Sequence, residues 1–447
     1  MSLHDELDRV ADGAPAVVVP HDTWARARRA RRRDRAVAGG AALASVVLVT
    51  GLVSGLVGTL PTRLDQPVAG SGSLGVPDRL HEVPARTFDL ETDLAIGSGA
   101  AAWVRAVDSV PNPVVVDAAS GGYHLLDLPD YGGKNSLVAH GLARPDIALS
   151  PDGTRLAYSY AVFGEDAATE PIPSGIRVVD LRTGGIREVP VRGEEGTAVT
   201  SIVWSPSSTW IGWTGQRLGS WTEASMGQST AVAGRIAPGA SRSETRKVRD
   251  DFGAHGVGDS GLVVIAGDRR RTRWGPDGEL TEARTTGSWY GRGVLSGEQL
   301  VAGSDDGLRV SVLPVDRRPT EIAATGDLPV VGRGRTEVVG TLGERFVVRT
   351  AGLDDTPGQL LLLARDGSYD AVGTIDPGVG DLSLATALMS DDRPTVARPA
   401  PDWPWSTERK LLVWAGLPAL LLLSSSTLLW VRRRRLNRDL LPSSRES

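Results

Sequence analysis

Residues 258–261 read Gly-Asp-Ser-Gly, which sets a hydroxyl between two glycines, where a serine can act as a nucleophile if a histidine base reaches it. Of the six histidines, His81, His124, His140 and His255 lie in the long middle of the chain, and no two have the spacing of helix or hairpin metal ligands. No zinc site is expected. The absence of cysteine excludes disulfides, thiolate metal sites and cysteine nucleophiles together. Carboxylates recur in pairs, at Glu165-Asp166, Glu194-Glu195, Asp250-Asp251, Asp305-Asp306, Asp354-Asp355 and Asp391-Asp392. Gathered on one face they would hold a divalent cation or a basic partner, but no loop alternates its oxygen ligands as a calcium loop does. They read as solvated loop tips, and Arg269, Arg270, Arg271 and Arg273 read as an exposed hairpin tip of opposite charge. No catalytic residue, metal or cofactor is expected from these patterns.

Gly-Asp-Ser-Gly also resembles the nucleophile signature of trypsin-like serine proteases, but no matching histidine motif accompanies it and four common residues meet by chance. Ser260 is therefore expected in a turn. Composition agrees with a turn-rich chain: 54 Gly and 28 Pro stand among 447 residues with 5% aromatics, while 40% hydrophobic and 23% charged residues exclude wholesale disorder.

Two segments divide the chain. Residues 36–60 hold no charged residue over 25 positions, and residues 411–431 hold none over 21. As helices each is long enough for the ~30 Å hydrocarbon core of a bilayer. Arg26, Arg28, Arg29, Arg31, Arg32, Arg33 and Arg35 precede the first, and Arg432, Arg433, Arg434 and Arg435 follow the second, which places both termini in the cytoplasm. Trp403, Trp405, Trp414 and Trp430 sit where interfacial indoles settle. A cleaved signal peptide is the rival, but the first segment is long for its apolar region and no small-residue cleavage site follows. Gly51 and Gly55 form a GxxxG pair that would let two helices approach. The acidic excess falls on 61–410, which argues against nucleic acid as a partner. The expected order is a cytoplasmic Arg-rich tail (1–35), a transmembrane helix (36–60), a linker (61–86), an ectodomain (87–390), a Pro-rich linker (391–410), a transmembrane helix (411–431) and a basic cytoplasmic tail (432–447).

Between the linkers, short runs of Val, Leu, Ile, Thr and Trp alternate with Gly and Asp turns, an all-β pattern. Hairpins recur at 114–128, 176–191, 263–274, 308–324 and 360–375, with 230–248 a sixth candidate. Two of them follow a pair of β runs around a Ser-Pro turn, at 147–160 and 202–215. Four strands in roughly 45 residues is the size of a propeller blade. In the first pair Ser150, Pro151, Asp152 and Gly153 make the turn, with Pro setting φ and Gly tolerating a positive value. The run IALSPDGTRLAYSY resembles the SPDG-type blade repeat of WD-like and bacterial periplasmic β-propellers; IVWSPSSTWIGWTG is similar but lacks the Asp-Gly pair. The resemblance implies an extracytoplasmic β-propeller of about seven blades, with six to eight allowed, between the two transmembrane helices. Trp103, Trp204, Trp210 and Trp213 are expected to fill space between blades.

In the amino-terminal tail Asp22 precedes Trp24 and Arg28 in a Pro-x-Asp-x-Trp-x-Arg pattern. It resembles the short tails of actinobacterial membrane proteins encoded beside extracytoplasmic-function sigma factors. Asp22, Trp24 and Arg28 are thus candidate docking residues for a cytoplasmic protein, in a tail without the zinc-binding signature of many anti-sigma domains. Three functions remain open: a binding, scaffold or sensing module with a protein partner in the envelope or at the tail; an envelope enzyme with a channel-centred site for a sugar polymer or peptide; and a membrane-bound regulator of a sigma factor.

Overall fold

The structure, a computed structural model, describes residues 73–401 and 403, without 85–88, 108–109, 132–145, 163–171, 192–195, 218–220, 223–224, 227–229, 249–252, 268–269, 285–288, 305–308, 315–318, 326–334 and 351–355. Both expected spans, with Gly51 and Gly55, and the tail residues Asp22, Trp24 and Arg28 lie outside the described residues. Among the described residues no helix is long and apolar enough to cross a membrane.

The described chain is all-β and repeats a four-stranded antiparallel meander. A short strand β1 (Arg79–Leu80) comes first, and β2 (Gly99–Val107), β3 (Val110–Asp117) and β4 (Tyr123–Leu125) follow as three strands of the first meander. The second holds β5 (Ile147–Leu149), β6 (Arg155–Ala161), β7 (Ser174–Asp180) and β8 (Ile186–Pro190). The third is β9 (Thr197–Trp204), β10 (Ile211–Arg217), β13 (Thr230–Ile236) and β14 (Glu244–Lys247), with a small hairpin of β11 (Trp221–Thr222) and β12 (Ser225–Met226) between its middle strands. The fourth is β15 (Ala254–Val257), β16 (Val263–Ala266), β17 (Arg270–Trp274) and β18 (Leu280–Arg284). The fifth is β19 (Trp289–Ser296), β20 (Gln299–Ser304), β21 (Arg309–Leu313) and β22 (Thr320–Ala323). One parallel pair, His255 with Arg292, joins these two into an eight-stranded sheet. The sixth is β23 (Thr336–Leu342), β24 (Arg345–Thr350), β25 (Gly358–Leu363) and β26 (Tyr369–Ile375), with β1 added in parallel at its outer edge.

Closure comes from the two ends of this domain. The last strand, β27 (Ser383–Leu384), pairs with β2 and becomes the inner strand of the first meander. The inner strands then touch in sequence, β27, β5, β9, β15, β19, β23 and back to β27. The arrangement is propeller-like, with six meanders among the described residues where about seven were expected. The hairpin at 230–248 is the outer half of the third meander, so the six hairpins expected from the sequence fall one in each of the six meanders.

Burial follows from this packing. Strands enclosed by a neighbouring meander on each face are apolar without alternation, as in β16 and β24, which are buried along almost their whole length. Outer strands such as β14 and β18 are short and charged, which blunts their free edges against pairing with another chain. Trp103 and Trp213 are fully buried in two of the resulting core clusters. Parts of both Pro-rich segments pack as well: Val76, Leu80 and Val83 are buried, and Pro77 forms a parallel bridge with Val396.

The Ser-Pro turns lock neighbouring meanders together. Ser150 Oγ donates to Asp152 at 2.5 Å, and Thr154 N donates to the same carboxylate oxygen at 3.0 Å. Burial pushes Asp152 up, but these bonds outweigh it and hold the carboxyl below its usual range. Gly153 has φ 73, and a Cβ there would run into Gly99 O. In the turn that lacks Asp-Gly, Ser208 takes the left-handed conformation at φ 62. Its Oγ accepts from Asp152 N at 3.0 Å, which ties the second meander to the third. The lost carboxylate is replaced from the fourth meander, where Asp259 accepts Ser207 Oγ at 2.6 Å and Ser207 N at 2.8 Å. Gly-Asp-Ser-Gly is thus the equivalent turn, between β15 and β16, with Ser260 exposed.

Candidate functional site

The ring of inner strands encloses a cavity of about 300 Å³. Four of the six inner strands carry residues of its wall, and the segments just before the other two, β5 and β27, complete it. Asp146 stands immediately before β5, Thr200 and Ser201 lie on β9, His255 on β15, Trp289 and Arg292 on β19, Glu337 on β23, and Asp381 two residues before β27.

A salt bridge crosses the ring. In a ring of six, β5 and β19 stand opposite each other, and Arg292 Nη2 reaches over to donate to Asp146 Oδ1 and, at 2.5 Å, to Ile147 O. The side chains are only 12% and 11% exposed. Asp146 is further held by Ile202 N, which donates to Oδ2 at 2.6 Å from the third meander. Burial pushes the Asp146 carboxyl up, against the opposing pull of Arg292 and these donors. A second pair lies between the sixth meander and the closing segment. Arg349 Nη1 donates to Glu337 at 3.3 Å, and its guanidinium also donates to Val379 O and Gly380 O, just before Asp381. Burial pushes Glu337 up too, with Arg349 acting against it and Asp381 with it.

His255 is 2% exposed and sits beside Arg292 in the parallel pair. Burial and that guanidinium lower its pKa to about 3, so the ring is neutral at pH 7. Its Nε2 is buried without a hydrogen-bond partner among the described residues, as is Nη1 of Arg292. Such atoms are costly to leave unpaired, by about 1–3 kcal/mol each. Among the described residues no group of histidines and carboxylates is arranged to hold a metal ion.

No protein-family model matches this chain, and no curated protein matches it. Among solved structures it is similar to a putative TolB from Agrobacterium tumefaciens, at 14% identity and a TM-score of 0.36 over 67% of this chain and 96% of that one. It is similar also to the β-propeller domain of the trilobed protease from Pyrococcus furiosus, at 12% identity and a TM-score of 0.37 over 62% and 80%. A prolyl endopeptidase shows 15% identity and a TM-score of 0.38 over 63% of this chain, which spans 43% of that protein's length. At such identities and TM-scores these similarities carry no functional argument, and the propeller-like arrangement rests on the closed ring of strands.

The turn residues Ser150, Pro151, Asp152 and Gly153 lie between β5 and β6, away from the cavity lining. Among the described histidines, His255 alone lines the cavity; His81 pairs with Asp376 and His124 with Glu91 at the outer meander edges. Asp146, Arg292, Glu337 and Asp381 were not singled out by sequence reasoning. One signal was available: a charged residue at the start of, or inside, the first apolar run of successive repeats.

Proposed function

We propose that the chain is a membrane-anchored binding or sensing module whose propeller-like domain stands outside the plasma membrane and takes a ligand in the channel cavity. Convergence carries the binding part: segments of all six meanders bring polar side chains to one space of about 300 Å³. That volume is at the lower end for small-molecule sites. Buried ion pairs are weak contributors to stability compared with apolar packing, so their retention around a cavity points to recognition. The protonation states favour binding over turnover. A histidine at about 3 is far from the neutral range a general base needs, and Asp146 is committed to Arg292.

The placement outside the membrane rests on the uncharged segments 36–60 and 411–431 with arginines on their outer flanks. Reporter fusions at positions 20 and 440 are expected on the cytoplasmic side, and a carboxy-terminus found outside would overturn the topology. For binding, full-length protein in detergent is screened by thermal shift against small cations, anions, zwitterions and neutral sugars. At least one class is expected to raise the melting temperature, and silence across all classes would overturn the proposal.

An envelope enzyme is the second reading, and one observation favours it: ionisable side chains do cluster on the channel axis. Glu337, pushed up by burial, is its candidate acid. Hydrolysis of a sugar polymer or peptide by wild type, lost in Glu337→Gln with the fold intact, would support it.

A further inference from the structure

We infer that the cavity takes a small ligand carrying a primary ammonium beside oxygen acceptors, as in an α-amino acid, a peptide amino-terminus or an amino sugar. The inference rests on the binding proposal and adds the ligand's chemistry.

Charge balance comes first. Three carboxylates and one guanidinium line the cavity. Asp146 is neutralised by Arg292 and Glu337 by Arg349, which leaves Asp381 without an ion pair among the described residues. Asp381 is exposed and lies close enough to Glu337 to disfavour the Glu337 charge. A cation seated between these two carboxylates removes that repulsion. A metal ion does not suit the place, because no group of three histidine or carboxylate ligands is assembled there. A quaternary ammonium is recognised by several aromatic faces, and Trp289 is the single aromatic residue in the wall. Carboxylates are acceptors only, so the cation they fit best is one with N–H donors.

The neighbouring part of the wall supplies the second half. His255 and Arg292 stand side by side on β15 and β19, and each carries a buried nitrogen with no partner. An arginine nitrogen can only donate, so the complement missing at Arg292 is an oxygen acceptor, while Nε2 of a neutral imidazole meets either a hydroxyl or a carbonyl according to its tautomer. Hydroxyls of Thr200 and Ser201 on β9 border the same space. Donors and carboxylates bordering one small space ask for a ligand with its ammonium and its oxygens a few bonds apart.

The test is calorimetric titration of full-length protein in detergent with glycinamide and with glucosamine. Their N-acetylated forms and glucose serve as uncharged controls. At least one amine is expected to bind, about tenfold or more tighter than its acetylated form, the loss expected when a charge-assisted hydrogen bond goes. Glycinamide binding alone would identify the amino-acid or peptide source, and glucosamine binding alone the amino-sugar source. Asp381→Asn, at an exposed position, is expected to weaken the amine by a similar factor with an unchanged melting temperature. If a neutral or anionic compound from the broader screen binds while both amines fail, or if Asp381→Asn binds amines as well as wild type does, this inference falls and the binding proposal stands. Silence of the whole screen overturns both.

Discussion

Asp146→Ala should be among the most damaging single substitutions in the domain. The change strands the Arg292 guanidinium, 12% exposed, without its carboxylate, and removes the acceptor that Ile202 N reaches at 2.6 Å. Breaking a buried pair from one side costs about 3–5 kcal/mol. The cavity lets water approach Arg292, so the lower end, about 3 kcal/mol, is expected. At about 2 °C per kcal/mol for a large domain, the melting temperature should fall by about 6 °C. Arg292→Met keeps the apolar stem and leaves Asp146 its backbone donors, so it should cost less, about 1–2 kcal/mol. In the double variant neither charge is stranded, and the total should fall short of the sum of the singles by about 1.5 kcal/mol or more. Thermal unfolding of the four proteins measures all of this. A loss below about 1 kcal/mol for Asp146→Ala, or additivity in the double variant, would show that the bridge across the ring holds nothing.

Other outcomes follow from single features. Gly153→Ala places a Cβ against Gly99 O at φ 73 and should cost more than about 2 kcal/mol, whereas Gly239→Ala, at φ 70 with open space around it, should cost about 1; thermal unfolding compares them. Ser260→Ala, in an exposed turn, should leave stability within about 0.5 kcal/mol and any hydrolytic activity untouched, while Asp259→Ala loses both Ser207 bonds and should destabilise measurably. His255 has a folded pKa of about 3, below its unfolded value near 6.5, so the unfolded chain binds the extra proton between these limits. Its contribution is therefore complete above about pH 6.5 and is lost as pH falls toward 3; nitrogen-15 NMR should find the ring still neutral at pH 5, and His255→Gln should lessen the acid loss of stability.

Much of the architecture was legible in the sequence because it is local. Each meander is a run of neighbouring strands, and Ser150-Pro151-Asp152-Gly153 closes its turn with bonds among residues two to five apart. Gly-Asp-Ser-Gly was correctly assigned to a turn for the same reason, although its carboxylate serves the neighbouring turn at Ser207, a partner 52 residues away. The meander count was legible in the hairpins, since the six of them, 230–248 included, match the six meanders one for one, whereas length divided by blade size pointed to about seven. The cavity was illegible. Asp146 and Arg292 are 146 residues apart, and their meeting depends on how many meanders close the ring and which two become opposite. No periodicity within a strand encodes that.

Closure makes the site a property of the whole domain. The strand that seals the ring, β27, is the last described one, and the residue two positions before it, Asp381, is the cavity carboxylate with no ion pair among the described residues. Arg349 holds this segment through Val379 O and Gly380 O while donating to Glu337, so one guanidinium fixes both the seal and a cavity carboxylate. A ligand that bridges Asp381 to Arg292 would tie the closing segment to the fifth meander and stabilise the closed ring by mass action. Binding and closure are then two faces of one equilibrium. Backbone amides of β27 and β2 should exchange more slowly with ligand present, those of the outer strands β14 and β18 should not change, and equal protection everywhere would separate binding from closure.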